Sequence, residues 1–102
     1  MYQIQLLLPL YDNEGQNFRR AEFARVRDEL AEKFGGVTAH TRAPAEGVWM
    51  DSEGAVSRDS IVAFEVLAET LERGWWADYR DALAARFRQR ELMITATRVE
   101  RL

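Results

Sequence analysis

Cysteine is absent from all 102 residues. That excludes disulfides, thiolate nucleophiles and cysteine-based zinc centres together, and it fits a reducing compartment. Histidine occurs once, at position 40, so a zinc or iron centre would need several carboxylates around a single imidazole. No metal and no cofactor is therefore expected. The apolar run Leu6 to Leu8 is too short for a signal-peptide core or a membrane span, and Met1 to Gln5 carry no basic side chain. The expectation is a soluble, cytoplasmic protein. A glycine-rich phosphate loop is missing too: the stretch at Gly15 matches neither G-x-G-x-x-G nor a Walker loop.

What is present is ordinary in amount and regular in pattern. The composition is 47% apolar, with 14 basic and 17 acidic residues and a net charge of -3. Such a surface has no global attraction for nucleic acid. The densest basic cluster is Arg86, Arg88 and Arg90. It falls at the end of a helical pattern, where cations complement the helix dipole. The length fits one domain, residues 1–102. A chain this short buries a modest share of its surface, so self-association would extend its core, and a homo-oligomer is expected.

One spacing occurs twice. Phe23, Val26, Leu30 and Phe34 stand at i, i+3, i+7 and i+11, and Trp76, Tyr79, Leu83 and Phe87 repeat those offsets. Each set is the apolar stripe of an amphipathic helix. The spacing predicts helices from about Asn17, a suitable N-cap, to Phe34, and over about 75–89. Gly35-Gly36 stops the first. Glu29 and Lys33 form an i,i+4 pair on its wet side.

Four extended segments surround these helices. Residues 2–9 alternate, with Tyr2, Ile4, Leu6 and Leu8 on one face and Gln3, Gln5 and Leu7 on the other. Residues 37–42 form a second strand, which Ala43 to Gly47 interrupts as a kink, bulge or loop before Val48 to Met50. Asp51 to Gly54 reads as a hairpin turn. A long third strand covers about 56–67, and a fourth about 91–99. The order β-α-β-β-α-β is the split β-α-β, or ferredoxin-like, arrangement: an α+β fold with a four-stranded antiparallel sheet and both helices on one face. The first and third strands, the most apolar, take the centre.

The second sheet face is then open. The strand phases place Gln3, Gln5, Leu7, Thr38, His40, Arg42, Ala63, Glu65, Met93, Thr95 and Thr97 there, with Ile61 and Leu67 beside them. Phe64 falls in the helix-facing phase, which leaves this face without the aromatics that base stacking needs. A candidate pocket comprises His40, Arg42, Glu65 and Gln5: an imidazole beside a carboxylate has the makings of a general base near neutral pH. Trp49 and Trp75 are candidate interface or pocket-wall residues, and Trp76 belongs to the core stripe. Arg19 and Arg20, with Tyr11, are weaker candidates for contact with an anion at a helix start. The acidic turns Asp12 to Gly15 and Asp51 to Gly54 do not continue into a calcium loop.

Phe34-Gly35-Gly36-Val37-Thr38, then Gly47-Val48-Trp49, then Trp75-Trp76 resemble small bacterial proteins of uncharacterised function with a ferredoxin-like fold. The resemblance covers the chain from about residue 30 and implies that fold and a bacterial source, with no catalytic residues to carry over. Two functional expectations stand. The first is a small binding or accessory protein that self-associates through the open sheet face, as a homodimer with room for a small-molecule ligand. The alternative is a small enzyme whose pocket contains His40, Arg42 and Glu65. Neither nucleic acid nor a membrane is an expected partner.

Overall fold

A computed structural model describes the backbone of residues 1–50 and 56–102 and, within these, the side chains outside 40–60. The element order is β1 (Tyr2–Pro9), α1 (Arg20–Phe34), β2 (Thr38–Met50), β3 (Val56–Ala68), α2 (Arg73–Arg86) and β4 (Met93–Arg98). The strands form one sheet in the order β2-β3-β1-β4, and every neighbouring pair is antiparallel. This is the ferredoxin-like topology, with β1 and β3 at the centre.

The alternation of β1 decides which residues enter the core. Ile4, Leu6 and Leu8 are buried, and their partners across the β1–β3 ladder, Val66, Phe64 and Val62, are buried with them. Both helical stripes close over this face. Phe23, Val26 and Leu30 come from α1; Trp76, Tyr79 and Leu83 come from α2, with Phe87 just beyond its end.

Several element ends differ from the pattern-based expectation, each for a local reason. Helix α1 starts at Arg20, with Arg19 as its N-cap, not at Asn17. Asn17 is instead bridged to Tyr11, and the Phe18 N–H donates to the Leu10 carbonyl, so the loop folds back on β1 before the helix begins. Phe18 thereby joins an aromatic cluster with Phe23 and Phe87, at centroid distances of 6.5 and 5.0 Å. Helix α2 spans 73–86 and takes Gly74 into its first turn. The expected interruption of β2 is a register shift between His40 and Ala45, so the strand continues through it. The proposed turn at Asp51 to Gly54 lies outside the described residues.

The two helices are tied by a clamp that the sequence pattern misassigned. Glu29 does not pair with Lys33. Arg86 of α2 donates two hydrogen bonds to its carboxylate, at 2.5 and 2.7 Å, and the Tyr79 hydroxyl donates a third at 3.0 Å. A guanidinium fork matches a carboxylate better than a single ammonium does. Lys33 turns instead to Glu72, 3.1 Å away, and lies over the Trp75 ring. The Arg86 hydrogen bonds hold the Glu29 carboxyl below the usual glutamate range, while burial and the Glu29 acceptor push the Tyr79 phenol well above the ordinary tyrosine value.

The clamp makes stability depend on pH in a defined direction. Because the folded-state value of Glu29 is depressed, its contribution is fully present above the unfolded value of about 4.3 and is lost as pH falls through the folded one. Glu29→Gln should cost about 1–3 kcal/mol at neutral pH in urea unfolding. The gap between the two proteins should close below the folded-state value. A gap independent of pH would contradict this account of the clamp.

Candidate functional site

The β1–β3 register sets Gln5 opposite Glu65, and β2 adds Thr38 on the other side of Glu65 while β4 adds Thr95 beside Gln5. Thr38, Glu65, Gln5 and Thr95 thus form one row across the open face, all in the phase opposite the core. Two amides converge on the central carboxylate. Gln5 Nε2 donates to Glu65 Oε1 at 3.2 Å, and Gln3 Nε2 donates to Oε2 at 3.3 Å. Each glutamine amide has a second N–H and a carbonyl oxygen, and the carboxylate has further lone pairs. The cluster is half-buried and has hydrogen-bonding capacity to spare.

A cavity opens beside it. Strand β2 begins opposite Glu65, so along Val66 and Leu67 the β2 side of β3 has no strand partner. The space at that missing position has a volume of 420 Å³ and is lined by Gln3, Thr38, Glu65, Leu67 and the turn Phe34-Gly35-Gly36-Val37. The size falls within the range of about 300–1,000 Å³ usual for small-molecule sites. The end of α1 shapes the wall. Gly35 takes the left-handed conformation, φ +79°, and its N–H caps the helix on the Ala31 carbonyl at 2.8 Å. Phe34 is held by stacking on Trp76, with 5.3 Å between centroids and 10° between planes.

Of the residues singled out from sequence, the structure brings Glu65 and Gln5 together. His40 pairs with Ala63 through its backbone, two residues along β2 from Thr38. The side chains of His40, Arg42 and Trp49 lie outside the described residues. Trp75 packs within its own chain, stacked on Tyr79 at 4.8 Å and edge-on to Phe34 at 5.6 Å. Gln3 and Thr38 were on the predicted face but not in the predicted pocket. The Gly35-Gly36 turn was read only as a helix stop. The signal that would have found it was available: a helix stop two residues before a strand fixes where that strand can begin.

Arg20 lines a second cavity, of 630 Å³, together with Arg27 and an apolar floor of Phe23, Val62 and Phe64. Its described lining holds no carboxylate, imidazole or hydroxyl. Arg88 binds Asp12 at 3.4 Å and lies over Phe18, which fastens two loops together. Among the described residues there is no cluster of three potential metal ligands and no helix long and apolar enough to cross a membrane.

The fold is shared with a phage SAM lyase. The solved structure of that lyase in its apo state superposes with a TM-score of 0.61 at 12% identity, covering 94% of this chain and 78% of the lyase chain. The structure in complex with S-methyl-5'-thioadenosine gives a TM-score of 0.58, also at 12% identity, over 94% and 79%. No protein-family model matches the chain, and no curated protein does. The lyase likeness concerns the backbone architecture alone.

A carboxylate on an open sheet face, out of the core, gives the fold little. Glu65→Leu should therefore leave stability unchanged or raise it by about 0.5–1 kcal/mol, a rise of several degrees in the melting temperature of a domain this size. Circular dichroism melting checks this. A loss of about 2 kcal/mol would make Glu65 a structural residue.

Proposed function

We propose that the chain is a small enzyme that binds an adenosyl thioether or sulfonium at the open sheet face, with Glu65 as the charged centre of the site. The observation that carries this reading is the Glu65 carboxylate, held by Gln3 and Gln5 at the mouth of a cavity of ligand size. The ligand class comes from the phage lyase neighbour, which binds S-methyl-5'-thioadenosine. The chemistry of the site suits it. A carboxylate pairs with a sulfonium cation and accepts hydrogen bonds from ribose hydroxyls. The free ends of the two amides donate and accept at a purine edge. Leu67 and Phe34 supply apolar contact.

The role of each residue follows. Glu65 contributes attraction for positive charge; at about 4 Å this is worth about 1 kcal/mol in water and about 4 at the effective dielectric of a protein surface. Gln3 and Gln5 fix the carboxylate plane with one N–H each and offer their remaining amide groups to the ligand. A second reading has two copies associating face to face. It is favoured by two apolar side chains on the same face, Leu67 and Met93, which are 53% and 60% exposed.

Calorimetric titration with SAM and with S-methyl-5'-thioadenosine separates the readings. SAM should bind, and Glu65→Gln should weaken it at least 10-fold, about 1.4 kcal/mol. The uncharged thioether should lose less. S-methyl-5'-thioadenosine is SAM without its amino-acid arm, so chromatography of a SAM incubation reports turnover directly. Absence of binding by both compounds at millimolar concentration would overturn the reading.

A further inference from the structure

We propose that two copies of this chain join along the outer edge of β4, making one continuous eight-stranded antiparallel sheet. The inference rests on a contrast between the two edges and does not depend on the ligand reading.

An edge strand offers unpaired backbone groups to any passing strand, and proteins normally guard it with charge, proline or a bulge. β2 has all three. Arg42, Pro44 and Glu46 lie along it, and its register shifts between His40 and Ala45. β4 has none over its length from Met93 to Thr97: the sequence Met-Ile-Thr-Ala-Thr is uncharged, rich in β-branched residues and regular in register against β1. The one charge that closes the strand is turned away. Arg98 donates to the Tyr2 hydroxyl on β1 at 3.2 Å and lies over that ring. Every residue of β4 except Ile94 is exposed, including Ala96, which shares the helix-facing phase with Ile94.

Symmetry selects the occupant. A strand pairs antiparallel with its own copy about a two-fold axis perpendicular to the sheet, so one patch satisfies both partners. The axis must pass midway between a residue and its own copy, because bonded and non-bonded rungs alternate. A register centred on Thr95 sets Met93 against the second copy's Thr97, and Ile94 against its Ala96. Each large side chain then faces a small one, no charge faces a like charge, and the exposed Ala96 gains a cover. Both open faces emerge on the same side, so the two Glu65 clusters stay accessible.

Light scattering after gel filtration at high micromolar concentration should give twice the chain mass of 11.8 kDa. The double variant Thr95→Lys/Thr97→Lys puts like charge across the seam. It should weaken dimerisation at least 10-fold with an unchanged circular dichroism spectrum, whereas Leu67→Lys on the open face should remain dimeric. A monomeric wild type, a dimer that survives the edge lysines, or a dimer broken by Leu67→Lys would each overturn the proposal. Should the edge lysines unfold the chain, hydrogen exchange on the wild type decides: β4 amides must gain protection as concentration rises, and equal protection at all concentrations overturns it.

Discussion

The pairing of β1 with β3 is the constraint from which the rest of this molecule follows. It joins Ile4, Leu6 and Leu8 to Val66, Phe64 and Val62 on one face and, by the same alternation, Gln3, Gln5 and Leu7 to Leu67, Glu65 and Ala63 on the other. A slip of one residue in either strand would carry its polar set into the core and its apolar set into water. An unpaired carboxylate in that core would cost several kcal/mol. The register is therefore specified by burial, and the convergence of two glutamines on one glutamate is a consequence of it.

The helices convert that register into a cavity. The Glu29 clamp to Arg86 and Tyr79 fixes α1 against α2, and the Phe34–Trp76 stack fixes the last turn of α1. Gly35 then ends the helix in a conformation that a side chain would strain. The chain has only Gly36 and Val37 before β2 must begin, so β2 enters the sheet at Thr38, opposite Glu65. What lies beyond that point on β3 is left uncovered. The stop signal of a helix and the location of the cavity are one structural fact.

Much of the architecture was legible because it depends on period alone. Two stripes at helical spacing and one clean alternation give the element order, the central strands and the face on which Glu65 and Gln5 sit. The errors came where a tertiary contact outbid a local preference. Asn17 is a good N-cap by residue type, but Phe18 packs with Phe23 and Phe87, and this draws Asn17 into a bridge with Tyr11. Glu29 has Lys33 at an ideal helical distance, yet Arg86 and Tyr79 arrive from the other helix with more hydrogen bonds. Arg88, assigned to the helix dipole, spends its guanidinium on Asp12 and Phe18. Partners that lie 57 or 76 residues away along the chain leave no trace in a local pattern.

The functional account needs one face to do one job. Glu65, with Gln3 and Gln5 around it, gives a hydrogen-bonding carboxylate centre beside a cavity. Association through β4 would leave that face clear. The most direct measurement is an NMR titration of the ¹⁵N-labelled chain with S-methyl-5'-thioadenosine. The account predicts that the side-chain amides of Gln3 and Gln5 and the backbone amides of Gly35, Gly36, Thr38 and Glu65 move first and furthest. Shifts confined to the helices, or none at all, would contradict it.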